Sequence, residues 1–291
     1  MGVGEDFQTF CSNLTVTNGG DISYRYKAIT KRLNLDFWAS DSDTYHSYYI
    51  GSYGRGTAIR DFHDLDVLFQ LPASYYQQYD AHYGNGQSAL LQAVRKSIQK
   101  TYPNTDVGGD GQVVVVWFSD DMRFEVLPAF LNTEGNYNYP YSGGGGSWGV
   151  SNPLAENRAI RETDAACNSN LRLLCRMTRA WKREWSVPMG GLLIDTLANS
   201  FIKSWEYRDK SYLYYDWMSR DFFDYLANQN TSQEYWIAPG SGRYVYRKGN
   251  FEYKARQCCN LAKEAIEYAG KDMTYSARQK WRAIYGTAYP S

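Results

Sequence analysis

Residues 51–66 read GSYGRGTAIRDFHDLD, and the run DLDVLFQLP carries on from Asp64 to Pro72. From Asp64 the chain alternates polar and apolar, turns apolar, and stops at a proline, the pattern of a β-strand. Residues two apart on a strand share a face, so Asp64 and Asp66 point one way while Leu65 points into a core. Their Cα atoms then lie roughly 6–7 Å apart. Two carboxylates at that distance repel each other unless a cation lies between them. Hard divalent cations take oxygen ligands, and Mg²⁺ favours a few carboxylates together with substrate phosphates.

An Asp-x-Asp pair is common on protein surfaces, so the weight comes from what precedes it. Gly51 and Ser52 follow an apolar strand-like stretch, SYYIGSY (47–53). Glycine lets backbone amides approach a phosphate closely, and a serine hydroxyl can donate to it. No lysine follows the glycines as in a Walker loop, and their order, G-x-x-G-x-G, is not the dinucleotide fingerprint. A plain turn beside a surface acid pair is the competing reading.

A third acid stands in RFEVLPAF (123–130), where Glu125 sits between Phe124 and Val126. Charge inside an apolar strand is costly unless it is ligated or paired. Arg123, two residues away on the same face, offers the simpler explanation of an ion pair. Asp120 and Asp121 read as turn formers between this strand and QVVVVWF (112–118), so the two runs predict a hairpin.

Around these strands the chain reads as helical at 4–18 and 21–39. In the second, Ile22, Tyr26, Ile29, Leu33 and Phe37 recur at three- and four-residue steps. QSALLQAVRKSIQK (87–100) is an amphipathic helix, and residues 133–153 read as a glycine-rich loop without periodicity. Helical patterns then cover 156–185, 190–206, 211–228, 251–268 and 274–285. The expected organisation is an α/β part at 1–150, including the N-terminal helices, and a helical lobe at 151–291.

Composition narrows the classes of function. The 291 residues carry 31 Lys+Arg and 31 Asp+Glu, a formal net charge of zero, which argues against a dominant nucleic-acid surface. The five cysteines, at 11, 167, 175, 258 and 259, include no C-x-x-C pair, so reduced, buried thiols are expected. The acidic start MGVGEDFQTF lacks the apolar region of a signal peptide, and no apolar run is long enough to span a membrane. A cytoplasmic protein is expected. The 27 tyrosines and 9 tryptophans suit half-buried surfaces and also base stacking. His63 adjoins the acid pair and reads as structural.

Five stretches in order resemble the nucleotidyltransferase superfamily with a polymerase-β-like palm, and within it the cGAS/DncV-like nucleotidyltransferases. They are ISYRYKAITKRLN; GSYGRGTAI followed by HDLDV; FEVLPAF; SWGVSNP leading into LRLLCRMTRAWK; and SARQKWRAIYG. The resemblance covers about residues 20–288. It implies an α+β fold, a mixed-sheet palm with flanking helices joined to a C-terminal helical lobe. It further implies a metal-dependent synthase of cyclic di- or oligonucleotide signals in anti-phage (CBASS) defence, fed by nucleoside triphosphates, ATP and GTP above all. Carried over by position, Asp64, Asp66 and Glu125 would be the catalytic ligands of two Mg²⁺, with Mn²⁺ able to substitute. Gly51 and Ser52 would grip the triphosphate, helped by Arg179, where the family more often has lysine, and by Lys182. The family more often has Asp at the place of Glu125. With balanced charge and no Cys/His cluster, the implied enzyme is monomeric, independent of DNA and of membranes, and open to a regulatory protein partner. A linear-product transferase or a non-catalytic nucleotide-binding module are the alternatives.

Overall fold

The computed structural model describes residues 2–291. In chain order the elements are α1 (Val3–Asn13), α2 (Gly19–Phe37), β1 (Ser47–Tyr49), the single turn α3 (Gly51–Gly54), β2 (Asp64–Gln70), α4 (Ala73–Asp80) and α5 (Gly86–Thr101). Strands β3 (Asp106–Asp110), β4 (Val113–Trp117), β5 (Arg123–Leu131), β6 (Tyr137–Tyr141) and β7 (Ser147–Ser151) follow. The rest is α6 (Pro153–Ala166), α7 (Asn170–Glu184), α8 (Gly191–Ser204), α9 (Tyr215–Ala227), a hairpin of β8 (Tyr235–Ile237) and β9 (Tyr244–Tyr246), α10 (Glu252–Gly270) and α11 (Thr274–Tyr285). They form two compact units. A palm unit comprises Thr17–Gly54 and Asp61–Leu154; a helical unit comprises the chain up to Val16, Arg55–Arg60 and Ala155–Ser291.

The palm unit is a mixed sheet in the order β1-β2-β5-β4-β3, with β6 paired to β5 and β7 to β6. Strands β2 and β5 run parallel; the other pairs are antiparallel. The two-residue period of each strand sorts its side chains onto two faces. One face presents Leu65, Val67, Phe69, Phe124, Val126, Val114 and Val116, all buried. Helices α2 and α5 pack together and bury Ile22, Ile29 and Leu33, and Leu90, Leu91, Val94 and Ile98. The opposite face is apolar at one end, where Ile50, Leu68, Ala129 and Tyr137 cluster, and charged at the other.

Two stretches depart from the sequence expectation. The glycine-rich segment 133–153 holds the β6–β7 hairpin, because YNYPY alternates as a strand does and the backbone at Gly149 leaves room for the Tyr139 ring. The helix expected over 156–185 is broken between α6 and α7. Asn168 and Ser169 adopt left-handed φ of 50° and 63°, and the buried Asp164 carboxylate accepts from the Arg172 amide at 2.8 Å.

In the helical unit, α1 packs through Phe7 and Phe10 against Trp281, Tyr285 and Tyr289, all buried. Edge-to-face aromatic pairs of this kind add about 0.5–1.5 kcal/mol each beyond their burial. All five cysteines are free and buried. Burial pushes the Cys11 and Cys258 thiols up to about 12 and raises Cys167, Cys175 and Cys259 as well.

Candidate active site

The charged end of the palm sheet is built by register. Strands β2 and β5 place Asp64 beside Arg123 and Asp66 beside Glu125; Arg123 in turn neighbours Trp117 on β4, and Glu125 neighbours Val115. Asp64, Asp66 and Glu125 therefore share one face, on strands about 4.8 Å apart. The turn after β1 meets the same spot. The Ile50 amide donates to the Asp66 carbonyl at 3.0 Å, and Gly51 follows with φ of 60°. A Cβ at position 51 would run into the Asp66 carboxylate, so glycine is required both by the backbone angle and by this approach. Ser52 follows it as the second residue of the single turn α3.

The electrostatics of the three acids are unequal. Arg123 donates from Nε to Asp64 Oδ1 at 2.7 Å and brings Nη2 within 2.5 Å of the same oxygen, with Glu125 Oε1 3.7 Å away. Burial raises the pKa of Glu125, the charges of Asp66 and Asp64 raise it further, and Arg123 opposes them. His63 is exposed, and its carbonyl accepts the Arg123 amide at 2.7 Å, a purely structural contact.

Whether this set suits a metal can be judged from its donors. As the side chains stand, no three or more His, Cys, Asp or Glu among the described residues are gathered closely enough to hold an ion. Asp64 is engaged by Arg123. The chemistry nevertheless fits a hard divalent cation: oxygen donors on one face, in adjacent rows, where burial and then the neighbouring carboxylates raise the pKa of Glu125.

The basic residues expected at the triphosphate belong to the helical unit, and the structure separates their roles. Arg179 is buried and committed. Its Nη1 donates to Asp195 Oδ1 at 2.6 Å, and its Nη2 to Asp195 Oδ2 at 2.9 Å and to the Gly191 carbonyl at 3.0 Å. It therefore offers no free fork of donors. Asp195 also receives Arg55 Nε at 2.7 Å and the Thr57 hydroxyl at 3.0 Å. Burial pushes the Asp195 carboxyl up, but the two guanidinium groups outweigh it and hold the group at about 2. Glu156, equally buried, receives Arg55, Arg243 and the Ser241 hydroxyl. Lys182, one helical turn beyond Arg179, is half-buried, and its pKa is lowered by burial and by the nearby charges of Arg179 and Lys248.

Sequence reasoning missed Asp195 altogether. It lies in GLLIDTLANS, within the helix expected at 190–206, and a single acid among Leu193, Ile194 and Leu197 was the available signal.

Comparison with known proteins bears on the family and the fold. Residues 1–164 match the family described as Second Messenger Oligonucleotide or Dinucleotide Synthetase domain, SMODS. A probable cyclic nucleotide synthase of Bacillus cereus is 22% identical over 275 aligned residues, covering 83% of this chain and 81% of that protein. Among solved structures, Escherichia coli MS115-1 CdnC, in complex with HORMA-deltaN, superposes with a TM-score of 0.69 at 15% identity, covering 99% of this chain and 98% of the other; CdnC has also been solved with ATP. Bradyrhizobium diazoefficiens CdnG in complex with GTP gives 0.67 at 11% identity, covering 98% and 95%. Vibrio cholerae DncV gives 0.64 at 12% identity, covering 84% and 70%. At these identities the structural likenesses establish the fold, an α+β polymerase-β-like nucleotidyltransferase. The family match spans more than half of the chain, and the protein belongs to the second messenger oligonucleotide or dinucleotide synthetases, the cGAS/DncV-like nucleotidyltransferases.

Proposed function

We propose that the protein joins nucleoside triphosphates into a cyclic di- or oligonucleotide, releasing pyrophosphate, as a cytoplasmic signal in anti-phage (CBASS) defence. One observation carries the reading. Asp66 and Glu125 are register partners on a parallel strand pair, on the face that holds Asp64, with Gly51 against the Asp66 carboxylate. Solved neighbours with ATP and GTP bound support triphosphates as the substrates.

In this mechanism, Gly51 and Ser52 present donors to the phosphates of one nucleotide beside the carboxylate face. A hydroxyl of a second nucleotide attacks the α-phosphorus, the bond to the bridging oxygen of the β-phosphate breaks, pyrophosphate leaves, and the hydroxyl proton is released at the carboxylates. The chemistry supplied with two Mg²⁺ (or Mn²⁺) held by Asp64, Asp66 and Glu125 is acidification of that hydroxyl and neutralisation of the leaving phosphates. Arg123 is the resting partner of Asp64. Of Arg179 and Lys182 on α7, Lys182 is the one proposed to meet phosphate; Arg179 fixes Asp195. The chain acts as a monomer without DNA, and the HORMA complex of CdnC supports a protein partner as its regulator.

The test is incubation of the purified protein with labelled ATP, GTP, CTP and UTP and Mg²⁺ or Mn²⁺, followed by phosphatase. Phosphatase-resistant products and released pyrophosphate are expected. Products that phosphatase attacks would make it a linear-product enzyme, and no pyrophosphate under any metal or protein trigger would refute the reading.

A further inference from the structure

Beyond the three acids, the same sheet face continues to an aromatic side chain with no role so far. Two rows of neighbouring residues cross the strands. One runs Asp64, Arg123, Trp117, Asp106; the next runs Asp66, Glu125, Val115, Gly108. Trp117 is 37% exposed although it lies inside the sheet, at the end of β4. Its indole leans from the first row over the second. A Cβ at Gly108 would stand 3.1 Å from its Cζ3 and 3.2 Å from its Cη2, so any larger residue there would crowd the ring and push it aside. A glycine inside a strand weakens it and marks a place where something approaches closely. Here the six-membered end of the indole lies against the glycine, and the residue keeps over a third of its surface open to solvent.

The sheet order gives this ring its meaning. Reading β1-β2-β5-β4, the Gly51-Ser52 turn lies on the β1 side, the carboxylates lie on β2 and β5, and Trp117 lies on β4. The strand of Trp117 is two spacings, about 10 Å, from that of the Asp pair. A purine nucleoside spans nearly that distance from its sugar hydroxyls to the far edge of its base. We propose that Trp117 is the stacking platform for the base of the hydroxyl-donating nucleotide, with Gly108 as the seat that holds the indole flat. An indole stacks best on a large ring, so the occupant is a purine. The inference rests on the nucleotidyltransferase reading above but concerns a nucleotide that the phosphate-gripping turn does not hold.

Equilibrium dialysis with the α,β-methylene analogue of ATP, which cannot release pyrophosphate, counts bound nucleotides without turnover. Wild type and W117F should bind two per chain, whereas W117A and G108V should bind one at normal affinity, the second weakened about tenfold or more. Base-free ribose 5-triphosphate should occupy one site in all four proteins, and the CTP analogue should fill the second site less than the ATP analogue does. Equal stoichiometry and affinity in wild type and W117A, at two nucleotides, one or none, would overturn the platform. Absence of pyrophosphate release by wild type would instead strike the nucleotidyltransferase reading, so the two failures are distinguishable. Thermal melts of the variants exclude misfolding, to which the exposed position of Trp117 makes W117A insensitive.

Discussion

In the helical unit, Asp195 is fully buried and meets two guanidinium groups and a hydroxyl, and Glu156 beside it is met by two further arginine contacts and a serine. On the palm sheet, Asp66 and Glu125 lie side by side, while the nearby Arg123 is paired with Asp64 and stands 3.7 Å from Glu125. Both regions concentrate charge, yet burial is compensated in the first and like charge accumulates in the second. A buried acid with two cations keeps a low pKa, about 2 for Asp195, whereas Glu125 is raised. The first arrangement is complete as it stands and fixes the backbone. The second holds an electrostatic demand that a cation from outside would meet.

The contrast can be broken from the active-site side first. Asp66→Asn should lower pyrophosphate release by about a hundred- to a thousandfold, with the melting temperature unchanged or raised. A large loss of stability would show Asp66 to be structural. On the compensated side, Asp195→Ala strands Arg55 and Arg179 in the interior and should cost about 3–5 kcal/mol in urea unfolding. A loss below about 1 kcal/mol would mean that water or neighbouring carbonyls satisfy both arginines.

Asp216 sharpens the comparison, as a carboxylate of the helical unit whose pKa burial raises to about 6. The sign follows from linkage: the folded state holds the proton more tightly, so the penalty is absent below about pH 4 and grows as pH rises through 6. Asp216→Asn should therefore stabilise the protein at pH 7.5, by up to about 3 kcal/mol, and leave it unchanged at pH 4. Parallel melts at the two pH values decide this. Smallest is Glu125→Gln, which removes one like charge. It should raise the melting temperature of the metal-free protein and reduce the further rise on adding Mg²⁺. A fall in the metal-free melt would show the Glu125 charge to be satisfied already.

The sequence revealed the acids more readily than their surroundings. Asp64 and Asp66 share a face by strand period alone, and RFEVLPAF was legible as a strand. That Glu125 lands beside Asp66 depends on a parallel pairing between segments some sixty residues apart, which no local rule fixes. Arg179 shows a partner that the sequence conceals. Its position suggested phosphate, but Asp195 on the next helix takes its guanidinium, and nothing in the spacing links the two. The β6–β7 hairpin was hidden by four consecutive glycines, which outweighed the alternation of YNYPY. The break at Asn168–Ser169 was visible as a pair of turn-forming residues, but the helical periodicity on both sides concealed it.

The buried cysteines have a practical consequence. A thiol alkylates as its thiolate, and all five native thiols are both shielded and shifted upward. Maleimide probes should therefore react with an introduced surface cysteine far faster than with any native one. Tyr83, fully exposed in the palm unit, and Tyr275, 73% exposed in the helical unit, are suitable places for such substitutions. A doubly labelled chain with every natural cysteine retained would let spin-label or fluorescence distances follow the two units as nucleotide is added.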